Sequence, residues 1–193
     1  LTENLIKEVV SMNFDEENYA QIIEKAAQLG YENELKYFGC SQAVVSALIE
    51  SFGIGGPDIL RASTALGAGI ARRGNVCGAL VGGLMMIGFL VGRDDLDIDE
   101  QYQRGQAYGD KLYRRFEEKF GTAICVEIHK MKFGKTFDMQ TEKGRQLFIA
   151  SGGHDPEGCP LVTKEGARLA AALIVEIFKE GCAMARIVSR RSL

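Results

Sequence analysis

The side chains of this sequence with chemistry to account for are five cysteines, Cys40, Cys77, Cys125, Cys159 and Cys182. A thiolate is both a metal ligand and the nucleophile of disulfide exchange. Successive gaps are 37, 48, 34 and 23 positions and no CxxC occurs, which removes the local signatures of zinc ribbons, thioredoxin-type sites and ferredoxin-type cluster loops. The absence of CxxCH removes covalent c-type haem as well. Scattered cysteines are by default small buried hydrophobes. Four of these differ in placement, because Cys40, Cys77, Cys125 and Cys159 each fall at or just before an expected helix start. Free backbone N–H groups and the positive end of the helix dipole favour a thiolate there and lower its pKa. Cys182 follows Gly181 at an expected helix C-terminus, where the dipole disfavours an anion.

Two histidines lie near these positions. His129 is four residues after Cys125, on the same helix face, a spacing suited to a mixed Cys/His ligand set. With Lys130 and Lys132 beside it, the stronger reading is a solvated side chain. His154 stands in the glycine-rich turn before Cys159, placed to approach the same site or to give a proton to a leaving thiolate, though the polarity of a loop explains it equally well.

The elements that must position these residues read as helices throughout, with no alternating run of β-branched residues. Leu5, Ile6, Val9 and Val10 give one face of a first helix. Asp15 is placed to cap a second, ending at Gly30 before a polar connection from Tyr31 to Gly39. Cys40 opens a third helix that stops at Gly53, and Pro57 is a first-turn residue for a fourth. Two buried helices are expected next, from Ile59 to about Leu66 and from Cys77 to Val91, separated by the turn Arg72-Arg73-Gly74-Asn75. An amphipathic helix from about Ile98 to Phe120 carries Tyr102, Tyr108, Leu112, Tyr113 and Phe116 and ends at Gly121. A short helix begins near Cys125, a loop-rich passage runs through Gly134 and Asp138, and a turn from Ser151 to Gly158 leads into Cys159-Pro160 and a last apolar helix to Phe178.

Within this frame, Cys77-Gly78-Ala79-Leu80-Val81-Gly82 forms a CGAxxG motif, preceded by the glycine-bearing Gly67-Ala68-Gly69-Ile70-Ala71-Arg72-Arg73. With Cys40-Ser41-Gln42-Ala43-Val44 upstream and the isolated Cys125 and Cys159 downstream, the chain resembles the C_GCAxxG_C_C family of redox-active proteins from roughly Cys40 to Lys179. The resemblance implies a prosthetic group such as an iron–sulfur cluster, or thiol cycling, and is shared with the cysteine-bearing part of some multihaem cytochromes. Independently of it, Gly78 and Gly82 leave the helix surface bare beside the Cys77 sulfur, and something must fill that space: a cluster, a disulfide partner or a closely packed helix.

Composition bounds the alternatives. At 193 residues, 46% hydrophobic and 25% charged, the chain buries a core without disulfide staples. A net charge of -3 and only short basic runs, at Arg72-Arg73, Arg114-Arg115 and Arg190-Arg191, argue against nucleic-acid binding. The stretch from Val76 to Val91 is too short and too glycine-broken for a membrane span. The start, Leu1-Thr2-Glu3-Asn4, lacks signal-peptide character, so a cytoplasmic address is expected. The acidic run Asp94, Asp95, Asp97, Asp99 and Glu100 lacks EF-hand spacing, and the glycines make no phosphate-binding loop.

The expectation is therefore an all-α single domain over 1–193, a compact multi-helix bundle with a buried glycine-rich helix. Within it, N-terminal helices occupy 1–36, the cysteine-motif redox region 37–180 and a tail 181–193. Cys40, Cys77, Cys125 and Cys159 are expected to converge within a few ångströms as ligands or redox-active thiols, supported by Gly78 and Gly82. The expected function is electron transfer through an iron–sulfur cluster of two-iron or four-iron type. Its rivals are a cofactor-free dithiol protein and a non-enzymatic helical interaction module with structural zinc. A redox partner protein or oxidoreductase is the expected partner, with a homodimer left open.

Overall fold

The computed structural model describes residues 16–181. The expected first helix, the capping Asp15 and Cys182 lie outside the described residues. Those described form eight α-helices and no strand: α1 Glu16–Tyr37, α2 Cys40–Phe52, α3 Pro57–Ala62, α4 Gly78–Val91, α5 Asp99–Phe120, α6 Cys125–Phe133, α7 Glu142–Ala150 and α8 Cys159–Lys179. A short 3-10 turn, Thr64–Leu66, follows α3. No described helix is long and apolar enough to cross a membrane.

The bundle is organised around α8, which packs against α1, α2, α4 and α5. Its buried face, including Ala167, Ala170, Leu173, Ile174 and Ile177, meets Val44, Leu48, Leu80, Met86, Ile87, Leu112 and Phe116 in one core. Burying a Leu, Ile or Phe side chain stabilises by about 1.5–3 kcal/mol, so this core is the main source of stability. Ion pairs between Arg115 and Glu176 at 2.7 Å, and between Arg168 and Glu24, tie α8 to α5 and α1 at the rim.

Close helix approach depends on small residues. A Cβ on Gly82 would come within 2.6 Å of the Ser41 carbonyl oxygen, so α4 lies backbone-to-backbone on α2. Gly83 faces Ala170 of α8 and Leu112 of α5. The glycine-rich α4 is the buried helix that its sequence implies, with nine of its residues buried.

Three expectations change. First, α1 does not stop at Gly30 but continues to Tyr37. Gly30 is there because α8 crosses it, with the Ala167 Cβ only 2.8 Å from where a Gly30 Cβ would stand. Second, the helix expected from Ile59 to Leu66 is a two-part, half-exposed surface segment, and no residue of Pro57–Ala62 is buried. Third, part of the passage expected as loop is α7, whose start is fixed by Thr141 accepting from the Gly144 N–H at 3.0 Å. The Pro57 first-turn position, the stops at Gly53 and Gly121, and the helix starts at Cys40, Cys125 and Cys159 stand as the sequence implies.

Gly82→Val is expected to cost about 1–3 kcal/mol by forcing α4 off α2. Gly88→Ala, on an exposed turn of the same helix with nothing within 4 Å of the added atom, should stabilise by roughly 0.5–1 kcal/mol. Urea unfolding of both variants checks the pair; equal effects at the two positions would contradict the packing described.

Candidate functional site

Each of four cysteines stands at the start of a helix. Cys40, Cys125 and Cys159 are the first residues of α2, α6 and α8, and Cys77 immediately precedes α4. All four thiols are free and all four line one cavity of about 180 Å³. That is well beyond the 10–15 Å³ or so that a single water needs. Among the described residues no three Cys, His, Asp or Glu side chains are disposed to hold one metal ion.

Local backbone geometry explains how they meet. Cys77 donates its N–H to the Ala123 carbonyl at 2.8 Å and Cys125 donates to the Asn75 carbonyl at 2.7 Å, around an isolated antiparallel bridge between Val76 and Ile124. This pairing sets Cys77 beside Cys125. The Cys40 sulfur lies against Gly78, 2.5 Å from where a Cβ would be, so any side chain at 78 would displace it. Gly78 thus makes room for a thiol, whereas Gly82 makes room for the α2 backbone. Neither glycine lines the cavity; both act by letting the elements close.

The segment between the 3-10 turn and α4 is unusual. Ala68, Gly69, Ile70, Ala71 and Arg72 all have positive φ, between 50° and 71°. A left-handed conformation costs a non-glycine residue roughly 1–2 kcal/mol, and Ile70 is β-branched. The run is held by hydrogen bonds such as Ala71 N–H to the Ala65 carbonyl at 2.8 Å and Asn75 N–H to the Gly69 carbonyl at 3.0 Å. It aims the Ala68 N–H toward the Cys40 sulfur and brings Arg72 to the cavity wall. Arg72 belongs to the site, not merely to a solvated turn.

His129 is also corrected. It is buried, 3% exposed, with Nε2 at 3.7 Å from the Cys125 sulfur and 3.8 Å from the Cys159 sulfur. Its ring stacks on Phe148 at 4.8 Å between centroids and meets Phe133 and Phe137 edge-on. The neighbouring lysines point the sequence reading the wrong way, because the opposite helix face carries His129 inward. His154 reaches the same cavity, against Phe38 at 4.3 Å and Phe148 at 5.0 Å.

Glu34 and Arg145, not singled out in the sequence analysis, both line the cavity. Glu34 is 3% exposed, accepts from the Gly39 N–H, and has an Oε2 with no hydrogen-bond partner among the described residues. A signal exists in the sequence: Ala26, Gly30 and Glu34 recur at helical spacing, a small-residue stripe on α1 that ends on the carboxyl. The stripe becomes meaningful only once α1 is known to pass Gly30.

Charge in the cavity is set by burial. Desolvation pushes the Cys77 and Cys125 thiols up to about 12 and raises the Cys40 and Cys159 thiols well above the ordinary thiol value, each raised again by other cysteines of the site. The N–H groups of Ser41 and Ala68 at Cys40, and of Ala79 and Leu80 at Cys77, favour the thiolates but are outweighed. The lowering expected from helix N-termini alone is therefore reversed. Burial likewise raises Glu34 from 4.5 to about 8 and lowers His129 from 6.5 to about 4. Without an added cation the resting site is four thiols, a neutral carboxyl and neutral imidazoles.

A family model described as "Putative redox-active protein (C_GCAxxG_C_C)" matches residues 38–173, most of the chain, and the protein belongs to this family. No curated protein and no solved structure was found to match it. The matched region begins after Glu34 and includes all four cavity cysteines.

The shifts have a signed consequence for stability in the metal-free protein. Glu34 stays protonated in the fold up to about 8 but ionises above 4.5 when unfolded, so its contribution is lost as pH rises through that window. His129 acts oppositely, its contribution being lost as pH falls from 6.5 toward 4. The stability difference between wild type and Glu34→Gln should therefore shift against wild type by on the order of a few kcal/mol between about pH 5 and about pH 8. Urea midpoints over that range measure it, and a pH-independent difference would show that Glu34 is not held neutral.

Proposed function

We propose that this protein is an electron-transfer protein whose Cys40, Cys77, Cys125 and Cys159 hold an iron–sulfur cluster. The observation that carries the reading is the opening of four helix-start cysteines, far apart in sequence, onto one cavity. Four cysteines are the usual ligand number for two-iron and four-iron clusters. The donor set fits such a group in chemistry as well as number: buried thiols whose anions repel one another ionise only when a cationic core offsets their charge, and the cavity is larger than a single ion requires.

When bound, the cluster supplies one-electron chemistry at a potential set by burial, net charge and hydrogen bonds to sulfur. The chain's own residues govern those settings. N–H groups of Ser41, Ala68, Ala79 and Leu80 stabilise negative charge on Cys40 and Cys77. His129 stands between Cys125 and Cys159 and orients both. Phe133, Phe137 and Phe148 form an apolar sleeve that restricts water. Arg72 and Arg145 supply positive charge on the wall, partly balancing the thiolates.

Two rival readings are less well supported. Cofactor-free thiol exchange needs thiolates near neutral pH, and these thiols are pushed the other way. A structural zinc needs four donors closed tetrahedrally on one point, and the cavity is larger than a single ion requires. Anaerobic purification followed by iron, sulfide and zinc analysis tests all three. The expected result is a brown protein containing iron and sulfide in wild type and colourless protein from Cys77→Ser. Zinc without iron, or neither metal with four reactive thiols, would overturn the cluster reading.

A further inference from the structure

Electrons cross protein only over short distances, so a partner of this site must come down where the cavity meets solvent. That place is marked by two apolar side chains of its wall, Phe38 and Ile149, each 56% exposed. Phe38 lies in the short connection between α1 and α2 and holds a left-handed backbone at φ 57°, as Ile70 and Arg72 do in the segment before α4 at φ 61° and 63°. Backbone strain collects at binding sites, where the fold must hold a side chain that local preference would place elsewhere. Here it holds an aromatic ring and a guanidinium at the mouth.

Charge is distributed unevenly around this mouth. Residues 68–75 and 125–150 carry seven Lys or Arg against three Asp or Glu, in a chain of net charge -3. These segments adjoin: Gly74 lies against Val126 of α6, Arg73 reaches the Gln140 side-chain amide ahead of α7, and Arg72 and Arg145 both act on Glu142. Elsewhere cations are neutralised in ion pairs, Lys25 by Glu50, Lys111 by Glu176, Arg114 by Asp110 and Arg168 by Glu24. Arg72, Arg73, Lys130, Lys132, Lys135 and Lys143 form no ion pair among the described residues, and all six are exposed. The acids of the same segments are engaged locally, Asp138 by the Gln140 N–H at 3.1 Å and Glu127 by the Thr122 hydroxyl. A group of unpaired cations repels itself and attracts carboxylates from outside.

We propose that this face docks an acidic redox protein, whose carboxylates settle among Arg72, Arg73 and the lysines of the α6–α7 region while its one-electron centre, a flavin or an iron–sulfur cluster, comes to rest over Phe38 and Ile149. An apolar centre within a charged rim is the anatomy of a protein interface and is not needed by a nucleic acid. The rim steers encounter and fixes register more than it adds affinity. Asp155 and Glu157, exposed in the turn before α8, give the rim a second sign of charge and set the partner's orientation. One electron passes between the two centres, one being oxidised as the other is reduced, and no bond is made or broken.

The docking face rests on the electron-transfer reading, and its test separates the two. Flavodoxin, a small acidic flavoprotein, is the probe, titrated with the full chain as purified at low ionic strength. It should bind, and binding should weaken steeply toward about 0.15 M salt as the charges are screened. Carbodiimide, which joins lysine amines to carboxylates in direct contact, should couple it through Lys130, Lys132, Lys135 and Lys143 and not through Lys25, Lys119 or Lys164. Arg72→Glu with Arg73→Glu should weaken binding about tenfold. Lys132→Glu with Lys135→Glu should do the same from a different segment, and Arg114→Glu on α5 should leave binding unchanged. The same substitutions should leave binding of cytochrome c, a basic counter-probe, no weaker. No flavodoxin binding at low salt, coupling through the distant lysines, equal affinity in all three variants, or tighter binding to duplex DNA or anionic lipid vesicles than to flavodoxin overturns the proposal. If the arginine variant does not fold, the lysine variant decides. Iron analysis of the same sample reports on the cluster separately. A mapped interface on a chain without iron keeps the docking face and ends the electron-transfer reading, whereas iron without the mapped interface does the reverse.

Discussion

The arrangement depends on one steric condition, the near-contact of α4 with α2 where α4 presents glycine instead of a side chain. Gly82 admits the Ser41 backbone and Gly78 admits the Cys40 sulfur. Only then does Cys40 lie beside Cys77. From Cys77 the isolated Val76–Ile124 bridge reaches to Cys125, and α8, crossing α4 with Gly166 on Ala79, brings its first residue Cys159 to the same wall. The spacing of the CGAxxG motif follows from this: one glycine next to the cysteine for a thiol, a second one helical turn on for a backbone.

With the sulfurs gathered, two electrostatic effects compete. Helix N-termini favour thiolates through oriented N–H groups; burial and mutual repulsion disfavour them. Burial prevails for all four: Cys77 and Cys125 belong to the main apolar core and Cys159 packs against the cluster of Phe137, Met139 and Phe148, so little water is left to solvate a charge. The oriented amides still matter, since they are fixed in place before any cation arrives. Their contribution needs no reorganisation.

Much of this was legible in the sequence, and the parts that were not share a cause. The four helix starts at cysteines, the glycine stops at Gly53 and Gly121 and the buried glycine-rich helix follow from local rules of capping and periodicity. The full extent of α1 did not, because a glycine that ends a helix and one that lets another helix cross look alike until the crossing partner, Ala167, is known. His129 and Glu34 were missed as buried site residues for the same reason. Neighbours in sequence, Lys130 and Lys132 in one case and a run of polar residues in the other, describe the faces that turn outward. The backbone run with positive φ from Ala68 to Arg72 has no sequence signal beyond Gly67 and Gly69, since alanine, isoleucine and arginine are held there by hydrogen bonds rather than chosen by preference.

The dispersal of the cavity wall over α1, α2, the residue preceding α4, α6, α7 and α8 has a consequence for how the chain folds. No two of the four cysteines are near neighbours in sequence, so each contact closes a loop of tens of residues, and the loop-closure entropy is met only when the core helices have already docked. The cavity is therefore assembled late, as a product of nearly complete folding and not as its nucleus. A group that bridges the four positions would cross-link the chain across its longest loops, so its loss would be felt first as easier opening of α6 and α7, which pack little against the other helices.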